Sequence, residues 1–383
     1  MALAGRATAT GTARYAKRFL KGGPASNGSN PVSGAVEGHF RPALGLTLSS
    51  IGCGTYLGEI SDAADERYRV ALEEAIRRGC NVLDTAVNYR AQHSELAVGR
   101  AVADLVTAGE FAREELVIAS KGGFIAYGTA RPSDRMQYVY DNFIATGVAD
   151  PQDLAGGIHC MAPEYLSQQI SWSLRNTGLH SLDVYYLHNP ETQLAFVDRA
   201  TFRKRLQLAF DRLEQEVVAG RIGCYGVATW EGLRRPPMSA GYISLEIMVR
   251  LAEEVGGSDH HLRAVQFPLN ANLTECAIFR NQPVGSRLLT ALEAANALGL
   301  SVITSASTMQ GQILGRVPAM LAETFPELQG NVVRALQFTR SMPGVTTALV
   351  GMGRPEHVRE NLALASTPPE PEAALRLAQV LTR

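Results

Sequence analysis

The chain has 383 residues, of which 46% are hydrophobic and 19% charged, and its formal net charge at pH 7 is -1. This composition is that of a globular protein with a large core, as one big domain or two ordinary ones. A nearly neutral chain offers no basic surface for nucleic acid or an anionic membrane. No apolar run reaches the ~20 residues that a membrane span requires.

The cysteines favour a reducing compartment. There are five, and no two stand in a Cys-x-x-Cys motif. An odd number at or beside apolar runs predicts buried free thiols, and hence a cytoplasmic protein, instead of a disulfide framework.

The two ends of the chain lie outside the regular pattern. Residues 1–44 are basic and contain no acidic residue before Glu37. We interpret them as a partly ordered N-terminal extension, with a targeting peptide as the alternative. Residues 366–383 predict a C-terminal amphipathic helix.

Between these ends, strand-like apolar runs alternate with helical patterns eight times. The runs cover residues 48–56, 81–84, 116–121, 182–188, 224–230, 264–267, 301–305 and 345–350. The helical patterns cover residues 65–79, 94–105, 163–176, 202–219, 245–256, 286–298, 331–340 and 355–364. Continuous apolar strands between helices indicate a parallel sheet buried on both faces. We therefore predict a single (β/α)8 barrel over residues 45–365. A doubly wound sheet is the alternative, but the Gly52, Gly54 and Gly58 pattern opens no helix, as a dinucleotide-binding loop would.

A long segment, residues 124–163, follows the third predicted strand. Connections in such folds are usually only a few residues long. Because this one is rich in aromatic residues, we expect it to be ordered and to act as a lid over the mouth of the barrel. The alternative is an oligomer contact or a cover for barrel surface. His159 and Cys160 are adjacent in it, but no further ligands stand at metal spacing, so no metal site is predicted.

Four polar residues converge at the carboxyl ends of strands two to four, where barrels carry their active sites. They are Asp84, Tyr89 just after it, Lys121 and His188. A phenol has a pKa of about 10, and a neighbouring ammonium should lower it toward neutrality. Asp84 would pair with Lys121, and His188 would orient a carbonyl oxygen. Together these residues predict a proton-donating site.

At these residues the chain resembles the aldo-keto reductase superfamily. The similar segments lie mostly within residues 45–365: Ile51 to Tyr56, Asp84 to Ala86 with Asn88 and Tyr89, Ser94 and Glu95 with Gly99, Lys121, Leu187 and His188, Gly226 and Val227 with Trp230, and Gly351 to Asn361. The resemblance implies a (β/α)8 barrel that reduces carbonyl compounds with NAD(P)H. Tyr89 would be the general acid, Asp84 and Lys121 would tune its pKa, and His188 would orient the substrate.

The resemblance also implies binding residues. Those for the cofactor are Gly54, Thr55, Tyr56, Asp84, Thr229, Gln266, Ser305, Gly311, Gly351, Met352, Gly353, Arg354, His357, Glu360 and Asn361; those for the substrate are Tyr56, Tyr89, His188 and Trp230. Family members often carry a basic residue at the position of Gly353, and here Arg354 follows it. We expect NADP(H) in preference to NAD(H).

Three function classes remain open from the sequence. The first is an aldehyde or ketone reductase or alcohol dehydrogenase with a small-molecule substrate. The second is a cofactor-binding regulatory subunit, since some members of the superfamily resemble channel partners. The third is a barrel that uses bound NAD(P) for a redox-neutral epimerisation or elimination. No nucleic-acid or membrane partner is expected, and no oligomeric state is implied.

Overall fold

The structure is a computed structural model that describes residues 2–20, 34–130, 132–312 and 317–381. Eight parallel strands close into a barrel in chain order. They are β3 (Ile51–Gly54), β4 (Val82–Asp84), β5 (Val117–Gly122), β6 (Leu182–His188), β7 (Ile222–Ala228), β8 (Leu262–Pro268), β11 (Ser301–Ser305) and β12 (Val345–Gly351). The predicted (β/α)8 barrel is confirmed. Within the described residues, no helix is both long and apolar enough to cross a membrane.

Helices pack around the barrel and cover its apolar strands. The main helices that follow the eight barrel strands are α2 (Asp62–Arg77), α3 (His93–Thr107), α5 (Pro163–Thr177), α6 (Arg199–Val218), α7 (Leu245–Gly256), α9 (Ala291–Ala297), α11 (Asn331–Ser341) and α12 (Pro355–Leu362). Several begin at side-chain caps, such as Ser61 on α2 and Asp198 on α6, which satisfy free amides of the first turn. The chain ends on α13 (Pro371–Leu381), so the predicted C-terminal helix is present.

The N-terminal segment is part of the packed molecule over residues 2–20. Helix α1 (Ala9–Phe19) buries Tyr15 and Phe19, and the Tyr15 hydroxyl donates to the carbonyl of Ile76 at 2.6 Å. The amide of Ala7 donates to the buried carboxylate of Asp183 at 2.6 Å. A hairpin of β1 (Phe40–Ala43) and β2 (Leu46–Ser49) adds apolar side chains at the amino ends of the barrel strands. What we expected to be a partly ordered extension is thus, in residues 2–20, a docked helix.

The long segment after β5 has a small core of its own. It contains α4 (Arg135–Val139), a π-helical turn over Tyr140–Ile144 and a 3-10 turn over Pro151–Asp153. Its buried side chains pack against Tyr165 of α5: Ile125, Val139, Phe143, Ala149 and Cys160. The segment is ordered, as its aromatic content predicted.

Two predicted elements differ from the structure. The first predicted strand, residues 48–56, is divided between β2 and β3, because Ser50 turns the chain from the hairpin into the barrel. Residues 286–298, expected to be one helix, begin with a short hairpin of β9 (Gln282–Val284) and β10 (Arg287–Leu289). Helix α9 starts only after Thr290, whose capping box with Glu293 sets its first turn. The α8 turn (Glu275–Ile278) and α10 (Val317–Thr324) were not foreseen.

Candidate active site

The structure brings together the four residues that the sequence placed at strand ends. Asp84 ends β4, Lys121 is the next-to-last residue of β5, and His188 ends β6. Because these strands are hydrogen-bonded neighbours, their carboxyl ends form one side of the barrel mouth. Tyr89 follows β4 and lies above them, with its ring centroid 4.9 Å from Nζ of Lys121 and 5.7 Å from the His188 ring.

Asp84 and Lys121 form a buried ion pair, with the two residues 4% and 0% exposed. Nζ of Lys121 donates to Oδ1 of Asp84 and, at 2.9 Å, to the carbonyl of Thr85. Gln266 donates to the other oxygen, Oδ2, at 2.8 Å. Burial lowers the pKa of Lys121, and the charge of Asp84 opposes that change. Each carboxylate oxygen thus has a donor, which a buried charge requires.

The pKa of Tyr89 moves in the direction opposite to our expectation. Burial raises it well above 10, and the nearby charge of Asp84 and the Tyr56 phenol add to the increase. Nζ of Lys121 donates to Asp84 and lies over the Tyr89 ring, so the effect of burial on the pKa of Tyr89 outweighs that of the lysine charge. The Tyr89 hydroxyl therefore stays protonated in the free protein.

His188 is neutral for a similar reason. It is 8% exposed, and burial, together with Lys121 and His159, lowers its pKa well below 6.5. Its ring lies edge-on to Tyr89 and to Phe124, whose centroid is 5.1 Å away. A neutral imidazole carries one N–H and can donate a hydrogen bond to an oxygen without bearing charge.

A strained turn fixes the backbone after Tyr89. Arg90, Ala91 and Gln92 all have positive φ, at 49°, 52° and 71°. Such conformations cost free energy in non-glycine residues and persist only where the surroundings impose them. Here the side chain of Arg90 is buried, where it contacts Asp65 at 2.5 Å and the carbonyl of Glu59 at 2.9 Å. These contacts anchor the turn that carries Tyr89.

Three of the predicted cofactor residues near the centre of the mouth form hydrogen bonds with other residues of the chain. Thr55 donates from both its amide and its hydroxyl to the carbonyl of Asp84, each at 3.1 Å. The hydroxyl of Thr229 accepts from the amide of Gly232 at 3.0 Å. Since the nitrogen of Gln266 is held by Asp84, its amide oxygen is the atom left for a ligand. Gly54 and Ser305 are strand ends at the same mouth.

The turn from β12 into α12 and helix α12 itself carry most of the remaining predicted cofactor residues. Gly351 and Arg354 are exposed, Met352 is buried, and His357 and Glu360 lie on the outer face of α12. Gly311 is exposed in the turn after β11. A Cβ on Gly353 would come within 3.1 Å of the Tyr68 ring, so a basic side chain at this position would require that ring to shift by a few tenths of an ångström. Asn361 is 2% exposed, and its Oδ1 has no hydrogen-bond partner among the described residues.

Aromatic side chains surround the opening. Tyr56 and Trp230, both predicted to meet substrate, are 58% and 43% exposed, and the Tyr56 ring lies 5.0 Å from that of Tyr89. Glu191 accepts from the amides of Trp230 and Glu231 at 2.8 and 3.1 Å, which holds the loop after β7 in place.

Sequence reasoning missed the contacts that support His188. Phe124 packs against its ring, and His159 lies 2.7 Å from its carbonyl oxygen. Both belong to the long segment after β5, which has no periodic pattern from which their positions could be predicted. The Gly122 and Gly123 pair was the one sequence signal of a close approach at this point.

The fold and the site define a (β/α)8 barrel with an acid–base cluster at its carboxyl mouth. A sequence model of the Aldo/keto reductase family matches residues 50–236. A Klebsiella pneumoniae aldo/keto reductase, solved in complex with NADP and acetate, superposes with a TM-score of 0.61 at 18% identity, covering 90% of this chain and 96% of that one. Residues 50–236 therefore belong to the aldo/keto reductase family, and the resemblance seen in the sequence is confirmed.

Two curated relatives are similar at lower identity or over less of the chain. One, from Schizosaccharomyces pombe, is provisionally named as a voltage-gated potassium channel subunit beta; it is 22% identical over 347 residues, 85% of this chain and 87% of its own length. The other is the Escherichia coli NADH-specific methylglyoxal reductase, 27% identical over 148 residues, 37% of this chain and 39% of its own.

Proposed function

We propose that this protein is an NAD(P)H-dependent oxidoreductase that interconverts an aldehyde or ketone with the corresponding alcohol. The observation that carries the proposal is a protonated phenol, Tyr89, beside a neutral imidazole, His188, and a buried ion pair of Asp84 and Lys121. These four groups can bind one carbonyl oxygen, donate a proton to it and stabilise the charge left behind.

Each residue has a distinct role in this reaction. The bound nicotinamide supplies the hydride that the carbonyl carbon accepts. Tyr89 donates its hydroxyl proton to the oxygen, which becomes alkoxide-like and more basic than a phenolate, so a raised pKa does not prevent the transfer. Lys121, 4.9 Å from the ring centroid, stabilises the phenolate that forms. His188 donates a hydrogen bond that orients the oxygen, and Asp84 holds Lys121 in place.

The turn after β12 fits a dinucleotide. Gly351 leaves open space, since a Cβ there would meet nothing within 4 Å, and α12 presents free amides to an anion. The unpartnered Oδ1 of Asn361 is an acceptor for an exocyclic amine such as that of adenine. Arg354, exposed at the N-cap of α12, suits the 2′-phosphate of NADP(H), which we propose as the preferred cofactor. The Klebsiella enzyme was solved with NADP, whereas the methylglyoxal reductase is NADH-specific.

One observation favours a second candidate function. The relative named as a channel subunit beta is similar to 85% of this chain, so a cofactor-binding regulatory subunit is the alternative. The intact acid–base cluster supports catalysis in preference to it, because a regulator has no need of a protonated tyrosine at the barrel mouth.

The test is a spectrophotometric assay with a matched variant. The protein is mixed with NADPH or NADH and with methylglyoxal, aromatic aldehydes, ketones and sugars, and cofactor oxidation is followed at 340 nm. We expect turnover of at least one carbonyl, and we expect Tyr89→Phe to reduce kcat by about 100-fold or more because the proton donor is lost. Cofactor Kd, measured by fluorescence titration, should stay within about twofold and should be lower for NADPH.

Two results would contradict the proposal. If wild type oxidises neither cofactor across the panel yet binds one of them, the regulatory alternative is favoured. If Tyr89→Phe weakens cofactor binding as strongly as turnover, Tyr89 is not the proton donor.

A further inference from the structure

We propose that His159, in the long segment after β5, is a positioning residue that holds His188 in the geometry the reaction needs. The inference rests on the proposed function, because it concerns the same site. It assigns to the long segment a part in building the site, in addition to the role of lid that the sequence predicts for it.

The contact between the two histidines is direct and fully buried. Nε2 of His159 lies 2.7 Å from the carbonyl oxygen of His188, and His159 is 0% exposed. The Phe124 ring packs edge-on against both imidazoles, at 5.2 and 5.1 Å between centroids. Phe124 and His159 are also paired by an isolated antiparallel bridge. The segment therefore contacts His188 at its backbone and at its ring.

A chain of hydrogen bonds fixes which nitrogen of His159 carries the proton. Arg205 of α6 donates to Oε1 of Gln193, so the Gln193 amide nitrogen faces Nδ1 of His159, at 3.0 Å. That amide nitrogen can only donate, so Nδ1 accepts and the proton lies on Nε2. Nε2–H then donates to the His188 carbonyl. Burial lowers the pKa of His159 to about 4, which keeps the ring in this neutral form.

The support from His159 matters because His188 lies where the regular strand ends and no hydrogen bond holds its Nδ1 atom among the described residues. His188 is the last residue of β6, and the next residue, Asn189, takes a positive φ of 46°. The Nδ1 atom of His188 has no partner among the described residues, so its own ring nitrogen does not anchor it. Gly123 makes the approach of His159 possible, since a Cβ there would stand 2.8 Å from Nε2 of His159 and 2.9 Å from the His188 oxygen.

The experiment compares two substitutions that differ in one donor. In His159→Gln the side-chain amide lies the same number of bonds from Cα as Nε2 and can still donate to the His188 carbonyl. His159→Leu has no donor. With the carbonyl substrate that wild type turns over, we expect kcat to fall about 10-fold or more in His159→Leu, with cofactor Kd within twofold, and to recover most of its value in His159→Gln.

Two further variants serve as checks. Gln193→Met, which is nearly isosteric, keeps His159 but removes the group that sets its tautomer, so a smaller, few-fold loss of kcat is expected. The His180 side chain is exposed, remote from the mouth, and His180→Ala should leave kcat unchanged. The Tm of each variant separates a loss of folded protein from a loss of positioning.

A second readout needs no turnover. Long-range ¹H–¹⁵N spectra of the histidine rings, with His188 assigned from its absence in His188→Gln, report its environment directly. We expect the His188 signals to shift or broaden in His159→Leu and to stay near wild type in His159→Gln. An active wild type with unchanged kcat in His159→Leu, or unshifted His188 signals in that variant, would overturn the inference. An inactive wild type would count against the proposed function alone, because the spectra still test the contact.

Discussion

At the scale of single residues, the site contains a buried ion pair, Asp84 and Lys121. A buried ion pair contributes little net stability, because desolvation offsets much of the Coulombic attraction. Removing one partner is costly, however, since the other charge stays buried without compensation. Asp84 is in that position: Lys121 and Gln266 satisfy its two oxygens, and the carboxylate is only 4% exposed.

We therefore expect Lys121→Met to lower the free energy of unfolding by about 3–5 kcal/mol, measured by urea denaturation. Adding Asp84→Asn to this variant should recover much of the lost stability, because the neutral amide leaves no uncompensated charge in the interior. The control is Arg235→Met, which breaks the pair of Arg235 with Glu231, whose side chains are 51% and 47% exposed. It should change stability by less than about 1 kcal/mol. A loss in Lys121→Met no larger than in the control would contradict the buried-pair argument.

The positions of site residues could be predicted from the sequence where the residue lies at the end of a strand. Asp84, Lys121 and His188 were found this way, because each closes an apolar run and parallel strands end at one edge. The direction of the Tyr89 pKa shift was not predictable, since it depends on where Nζ of Lys121 points and on how much of the ring is buried.

At the scale of whole elements, a close contact fixes the distance between helices α3 and α5 of the outer layer. Gly99 lies in α3, where an added Cβ would stand 2.5 Å from the carbonyl oxygen of Thr177 at the end of α5. Helix α1 was not predicted, although its buried residues Thr12, Tyr15, Ala16 and Phe19 recur at helical spacing. Periodic apolar stripes predicted α2, α3, α5 and α6 to within a few residues at each end.

Replacing Gly99 by alanine tests the close contact through the sign of its effect. In an exposed helix interior the change stabilises by up to about 1 kcal/mol, because alanine has the higher helix propensity. Here we expect it to destabilise by about 1–3 kcal/mol, since the contact is with backbone and α3 must move away from α5. Gly241→Ala is the control for a glycine without a close contact, because it lies in a turn where a Cβ meets nothing within 4 Å. A rise in Tm for Gly99→Ala would show that the two helices are not in contact at this point.

At the scale of the molecule, buried neutral histidines at both ends of the barrel make stability depend on pH. Burial lowers the pKa of His39, beside the amino ends of the strands, to about 3, and that of His159, at the mouth, to about 4. His188 has a pKa well below 6.5 for the same reason. In the unfolded chain each of these histidines has a pKa of about 6.5. Below that pH the unfolded state binds more protons than the folded one, so stability falls as pH falls.

Between pH 7 and pH 5, above the range where most carboxylates titrate, protonation of the unfolded chain at His39 and at His159 should each lower the free energy of unfolding by about 2 kcal/mol. Urea denaturation at half-unit intervals should show this loss in wild type. His39→Gln, which replaces an imidazole bonded to the Gly79 carbonyl at 3.0 Å by a side chain that does not titrate, should reduce it by about a third to a half. His180→Gln, at an exposed position, should leave the profile unchanged. The same slope in wild type and His39→Gln would mean that His39 gains its proton without unfolding the protein, and that its burial does not govern the acid limit of the fold.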